Sequence, residues 1–325
     1  MIKEYVYDLE RDEICEERDE IDILDYMTPI FYDIREFHEY HKKFAEEVVR
    51  LGVTNNGRML GYCYLGMKEG SFRMPYSSPF SLIYLRDGYK VNDALHFIEG
   101  LKRFAEKRDI KKINVTLAPD IYGRELVSVL AASLFSQGFS IKINNLNNYY
   151  DLSNFVSVEE HINKSVHKIQ KKFKRAVKRN FVFEELNLDE FETAYDVIKI
   201  NREQMGYPLK ISKAQMNDLI KMDSLTVRAF IVKKEEIAIA AAIIFDMTND
   251  ISQVVYWGDI PEYRNERVMD FMPIKIFEAY KKLGKRYLDI GPSSEDGIIN
   301  AGLAEFKQAL GCSTNCKLSF EYIAD

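Results

Sequence analysis

A mixed α/β fold, an α+β sheet built as two tandem units, is what this 325-residue sequence predicts. Three observations carry it. Antiparallel hairpin strands precede a helix–strand–helix–strand run in each half, an order that suits a mixed sheet with helices on both faces. The halves echo each other: Ile113 precedes Tyr287 by 174 residues, and Gly138 precedes Gly311 by 173. The chain is also long enough for two cores of ordinary size.

The first 50 residues read as an acidic leader followed by helical material. Phe31, Ile34, Phe37, His38, His41 and Phe44 fall at three- and four-residue steps, which predicts a helix with an aromatic stripe. Asn55-Asn56-Gly57 is a turn signal, and RMLGYCYLGM after it reads as a strand. SFRMPYSSPFSLIYLRDGY is extended, punctuated by Pro75 and Pro79 and closed by the Asp87-Gly88 turn. A helix capped at Asn92 or Asp93 runs to about Lys107 and buries Leu95, Ile98, Leu101 and Phe104. IKKINVTLAP is a strand that cannot run through Pro119; a helix from Arg124 to Ser136 ends at Gly138, and FSIKINNLNNYYDLS is extended.

The middle of the chain changes character. From Glu159 to Asn180, Val166, Ile169, Phe173 and Val177 form one apolar seam on a predicted helix. Lys168, Lys171, Lys172, Lys174, Arg175, Lys178 and Arg179 fill the rest of it. Helical material resumes at 190–204 and 212–222. From Thr226, TVRAFIVKK, IAIAAAIIF and SQVVYWGDI read as three antiparallel strands with turns at Lys234-Glu235 and Asn249-Asp250. A helix from Asn265 to Leu283 stops at Gly284, RYLDIG is a strand ending in Gly291-Pro292, and a helix from Asn300 to Leu310 stops at Gly311. The last strand runs from near Cys316 to about Tyr322. This divides the chain into an N-terminal domain with a helical leader at 1–155, a basic helical connector at 156–225 and a C-terminal domain at 226–325.

Bulk properties narrow the function classes. A net charge of -6 gives the whole surface no reason to attract nucleic acid. The start, MIKEYVYDLERDEICEERDE, lacks the basic-then-apolar order of a signal peptide, and no run reaches 18 apolar residues, so neither export nor a membrane span is expected. Cys15, Cys63, Cys312 and Cys316 are expected to be free thiols of a cytoplasmic protein. The Cys312-x3-Cys316 pair has no nearby partner that would make a zinc site, so no metal is expected.

The segment from Tyr287 to Gly311, YLDIGPSSEDGIINAGLAEFKQALG, holds a strand, a loop, Asn300-x-Gly302-Leu303, then Phe306-Lys307 and Gly311. It resembles the closing segment of the Fem-type (FemABX-like) peptidyltransferases and related acetyltransferase-like proteins. The basic helix from Val166 to Asn180, leading into FVFEEL, resembles the connector of that family. The resemblance implies two tandem acyl-CoA N-acyltransferase (GNAT)-like domains and transfer of an acyl or aminoacyl group to an amine. Fem enzymes use aminoacyl-tRNA as donor and a cell-wall peptide precursor as acceptor; ordinary members of the superfamily use acetyl-CoA. The donor is therefore open between acetyl-CoA or another acyl-CoA and a charged tRNA, with the net charge weighing against tRNA. The acceptor is a small-molecule or peptide amine.

Such transfer needs a neutral amine, a stabilised oxyanion and a protonated leaving group. The expected stage is a V-shaped opening between the parallel strands VVYWGD and YLDIG. Lys307 is the first catalytic candidate through its place in the Phe-Lys pair; a lysine on an exposed helix face is the alternative. Tyr256 and Asp259 flank Trp257 at a strand end, where a phenol can act as an acid and where core packing serves as well. Asp289 can orient an amine or cap a helix. Asn300 is a substrate-binding candidate and a natural cap for the helix it precedes. Arg73, Tyr76 and Ser77 are substrate-binding candidates in a Pro-bounded segment that is otherwise an irregular edge strand. Arg264 and Arg267 can meet a donor phosphate. The two glycines of an acyl-CoA loop are absent between Pro261 and Val268, however, and Glu262 and Glu266 oppose an anion. A non-catalytic binding protein that keeps the fold without a working donor loop, and an RNA-binding protein using the basic helix, are the competing readings.

Overall fold

The computed structural model describes residues 2–16, 27–157, 159, 160, 162, 167–207 and 209–324. It is a mixed α/β structure. Contacts divide it into two compact units, one of residues 1–146, 294–298 and 315–325, the other of 147–293 and 299–314. The units are discontinuous in sequence, whereas the division drawn from the sequence runs in consecutive blocks.

The first unit carries β1 (Lys3–Asp8), β2 (Glu13–Glu16), β3 (Glu47–Asn55), β4 (Arg58–Lys68), β5 (Ser71–Met74), β6 (Tyr84–Leu85), β7 (Lys112–Thr116) and the first part of β8 (Ser140–Asp151). Its helices are α1 (Arg35–His41), α2 (Val91–Glu106) and α3 (Arg124–Ser136). The strands lie in the order β2-β1-β3-β4-β5-β7, with β1 parallel to β3 and β5 parallel to β7. Asn56 and Gly57 both take positive φ and turn β3 into β4, as Asn-Gly chemistry requires. Phe97, Ile98, Leu101 and Phe104 of α2 and Leu126, Leu130 and Leu134 of α3 bury against Val49, Leu51, Val53, Leu65 and Phe72. Asp93 accepts from the Lys90 backbone N–H at 2.8 Å, so it closes the first turn of α2 from inside the helix.

The leader departs from expectation. Lys3–Asp8 and Glu13–Glu16 are strands, and the helix is confined to Arg35–His41 because Ile34 is extended (φ -85°, ψ 154°). The acidic flanks conceal an alternating Tyr5-Val6-Tyr7 core, and EVVRLGVTN, β-branched and apolar, forms β3. Phe31, Phe37, His38 and His41 are buried all the same, Phe31 in a 3-10 turn ahead of α1 and the other three on α1 itself.

The second unit carries α4 (His167–Val177), β9 (Val182–Leu186), α5 (Phe191–Gln204), α6 (Lys213–Ile220), β10 (Val227–Lys234), β11 (Ile237–Asp246), β12 (Ile251–Asp259), α7 (Met272–Lys282), β13 (Tyr287–Pro292) and α8 (Ala301–Ala309). Its strand order is β8-β13-β12-β11-β10-β9, antiparallel throughout except for β12 beside β13. Ile239 to Phe245 are all buried, the continuous apolar run of a strand covered on both faces. Glu235 and Glu236 form the β10–β11 turn with φ of 50° and 66°, one residue later than expected. Two short strands, β14 (Ser294–Glu295) and β15 (Ile298–Ile299), pair across Asp296-Gly297, ahead of β16 (Ser313–Ile323).

Three expectations are corrected here. The helix expected from Asn265 starts at Met272, because Pro273 belongs in a first turn; 261–266 and 268–270 are 3-10 turns joined by left-handed Arg267. On α4, Phe173 packs against Phe271 and Ala176 is buried, while Val177 is half exposed; Val166 and the side chain of Ile169 lie outside the described residues. The last strand does not complete the unit that precedes it. β16 pairs antiparallel with β7 in the first unit (Phe320 opposite Val115), and the second part of β8 pairs with β13 in the second (Tyr150 opposite Leu288). The two units exchange their closing strands.

Candidate active site

The parallel pairing of β12 with β13 covers Ile251–Tyr287, Ser252–Leu288 and Gln253–Asp289, and then stops. β12 continues to Asp259 and β13 to Pro292 without pairing to each other, so the sheet opens at this point. Each strand carries a bulge at the opening. Ile243 and Ile244 of β11 face Tyr256 and Val254, which leaves Val255 as the extra residue of β12. Asp289 and Gly291 face Tyr149 and Asn148, which leaves Ile290 as the extra residue of β13. Bulges break the ladder and re-aim the groups beside them.

Lys307 occupies the carbonyls that the β13 bulge frees. Its Nζ donates to the backbone oxygens of Ile290 (3.0 Å), Gly291 (2.9 Å) and Pro292 (3.0 Å). An ammonium has three N–H groups, so all of them are used. The side chain is 2% exposed, not on an open helix face. Burial pushes its pKa down to about 8, against the pull of the Asp289 charge.

Asp289 is fully buried and accepts from Asn147 Nδ2 (3.1 Å), Gln253 Nε2 (3.1 Å) and the Gly291 backbone N–H (3.0 Å). Ser293 Oγ donates to Asn148 Oδ1, and both residues are buried. Asn300 accepts from the Leu303 N–H at 3.0 Å and donates its own N–H to the Ser293 carbonyl at 2.8 Å, so it caps α8 and fixes the loop. Two polar clusters thus lie by the opening, one on Asp289 with Asn147 and Gln253, the other on Ser293 with Asn148 and Asn300; Asn147, Asn148, Gln253 and Ser293 were not among the sequence candidates. The two asparagines had one signal, the Asn-rich run INNLNNYY, poor strand formers in an extended segment; Gln253 and Ser293 had none.

Tyr256 lies in β12 with its hydroxyl accepting from the Ile211 N–H at 3.2 Å, and burial raises the phenol above its ordinary pKa. Burial likewise raises the Asp259 carboxyl, opposed by Arg264 with its Nε at 3.9 Å. Arg267 Nε pairs with Asp270 at 2.7 Å. The N–H groups of Arg267, Asp270 and Phe271 bond to the carbonyls of Arg264, Arg267 and Val268. Both arginines face carboxylates, and these three N–H groups are turned inward. A glycine loop would present such groups to a pyrophosphate.

Arg73, Tyr76 and Ser77 belong to the first unit, whereas the other candidates belong to the second. β5 lies between β4 and β7, so Arg73 is on an interior strand; it pairs with Glu69 at 2.5 Å. Tyr76 is buried with its hydroxyl 3.1 Å from His38 Nδ1, and Ser77 is half-buried. A Cβ on Gly66 would lie 2.3 Å from the Tyr76 ring. Gly66→Ala is therefore expected to cost about 1–3 kcal/mol, read as a lower urea midpoint at unchanged slope.

Among the described residues, no group of three or more His, Cys, Asp or Glu side chains is placed to hold a metal ion, and no helix is long and apolar enough to cross a membrane. No family profile matches the chain, and a search of curated proteins returns no match. Solved structures do match. FemX superposes with a TM-score of 0.65 at 15% identity, over 90% of this chain and 92% of that one. The C-terminal domain of a putative lysylphosphatidylglycerol synthetase from Agrobacterium fabrum gives 0.55 at 10% identity, over 81% and 80%. A tandem GNAT protein from the clavulanic acid biosynthesis pathway gives 0.50 at 10% identity, over 84% and 81%. At such identities the likeness is one of fold: the chain has an architecture similar to that of FemX and of GNAT-fold proteins.

Proposed function

We propose that the chain is an N-acyltransferase that moves an acyl or aminoacyl group from a CoA or tRNA donor to an amine, on the opening between β12 and β13. The opening carries this reading. Past Gln253 the edge of β12 that faced β13 pairs with no strand among the described residues, and backbone N–H groups on such an edge can hold a developing oxyanion, worth about 3 kcal/mol for one well-aimed donor. Lys307 and Asp289 serve as positioning residues in this reading, the first through the 290–292 carbonyls and the second through Gln253 and Gly291. Tyr256 and Asp259, raised by burial, stand nearest to the role of an acid. The tandem GNAT-like organisation belongs to the same proposal, supported by the likeness of fold to FemX.

The donor loop favours an aminoacyl ester over acyl-CoA, since Arg264 and Arg267 already face Asp259 and Asp270. One observation favours a non-catalytic binding protein instead: the three N–H groups of Lys307 are all taken by the backbone. Thermal shift and single-turnover transfer against acetyl-CoA, CoA and charged tRNA decide between them. A donor that raises the melting temperature and loses its acyl group to an added amine is the expected result. No shift with any of the three removes the enzyme reading.

A further inference from the structure

Away from the β12–β13 opening, the second unit holds a cavity of about 630 Å³ between α5 and the turn into α6. That is the volume of an ordinary small-ligand pocket. Tyr195, Tyr207 and Leu209 give it apolar and aromatic walls, and Lys199, Arg202 and Lys213 bring positive charge. Two acids also line it, and each already meets a lysine. Lys213 Nζ lies 2.8 Å from Asp196 and 3.3 Å from Glu192, and Lys199 lies 3.8 Å from Glu203.

Arg202 is different. Its Nε is buried without a hydrogen-bond partner, and no carboxylate among the described residues pairs with it. Its guanidinium rests over the Tyr256 ring, 5.5 Å from the centroid, while the Tyr256 hydroxyl holds the Ile211 backbone. The planar fork is thereby oriented and left without an acceptor, although a buried donor with no partner is costly to keep. A carboxylate or a phosphate matches that fork in two parallel hydrogen bonds.

We propose that this cavity binds an organic anion, its carboxylate or phosphate seated on Arg202 and its body against Tyr195, Tyr207 and Leu209. Anion binding stands on the cavity alone. That the anion is the remote handle of the amine acceptor rests on the acyl-transfer reading, where binding energy far from the reacting atoms helps to orient them.

Calorimetry on the full chain at low ionic strength, with inorganic phosphate, succinate and neutral succinamide as probes, tests it. Saturable binding of phosphate or succinate is expected, with no binding of succinamide; the stronger of the two anions identifies the group recognised. Arg202→Gln is expected to weaken that binding at least tenfold while Lys171→Gln, on α4, leaves it unchanged. Should Arg202→Gln melt early, Arg202→Lys keeps the charge but loses the fork, and a severalfold weakening is expected. Failure of both anions to bind the wild-type chain, or wild-type affinity in the folded Arg202 variants, overturns the proposal. Anion binding without any response to acyl donors leaves the cavity standing and removes only the acyl-transfer reading.

Discussion

Lys307→Met lowers the stability of the chain by about 3 kcal/mol, the expected cost of leaving buried carbonyls without a donor. Methionine fills a similar volume, so the loss is one of hydrogen bonds more than of packing. The carbonyls of Ile290, Gly291 and Pro292 point to one place because Ile290 is a bulge and Gly291 has φ of +74°. The chain has no other side chain there in hydrogen-bonding contact with them among the described residues. Urea unfolding at pH 7 checks it: a midpoint shift worth less than about 1 kcal/mol would show that water replaces the ammonium at no great cost.

The second large effect concerns Asp33, in the first unit. Its carboxyl is buried and accepts from Ser81 Oγ (2.5 Å), the Leu82 N–H (2.9 Å) and Tyr84 Oη (2.8 Å). These bonds favour the ionised form, yet burial prevails and raises the pKa from 3.8 to about 7. The folded state therefore holds a proton between those values that the unfolded state has lost. Stability from this group is full below about pH 4 and is lost as pH rises to the folded-state pKa near 7, by roughly 4 kcal/mol in all. Asp33→Asn is neutral throughout. Its amide nitrogen can face the Ser81 hydroxyl, and its oxygen can take the Leu82 and Tyr84 donors. The difference in unfolding free energy between the two proteins, followed from pH 4 to 8, isolates the residue: the wild type should lose stability relative to the variant as pH rises. A flat difference would mean that Asp33 folds as a carboxylate with its three donors sufficing.

What could be read from the sequence was local. The hairpin strands between Thr226 and Asp259, the Gly138 and Gly311 helix stops and the Asn300 cap follow from periodicity and terminal chemistry within a few residues. The end of β13 at Gly291-Pro292 was legible from its punctuation, whereas the stop of its pairing with β12 at Asp289 was not. What stayed hidden depends on distant partners. β1 is a strand because it lies parallel to β3, more than 40 residues away, and nothing in its acidic flanks says so. Lys307 looks like any lysine on an amphipathic helix until the bulge at Ile290 supplies three acceptors. The partnership of Asn147 with Asp289 spans 142 residues. Arg202 stood unnoticed in NREQMG for a similar reason, since an absent acceptor leaves no mark in a sequence.

The exchanged closing strands bear on how the chain is made. Until 315–325 leave the ribosome, β7 has a bare edge on the side that β16 will take, and the first unit waits incomplete while the whole second unit is synthesised. At 5–20 residues per second, the usual rate of synthesis, that wait lasts on the order of ten seconds or more, during which an open strand edge is a template for wrong pairing. Cutting the chain after residue 146 would make the wait permanent. The two units are separate as compact bodies and inseparable as products of translation.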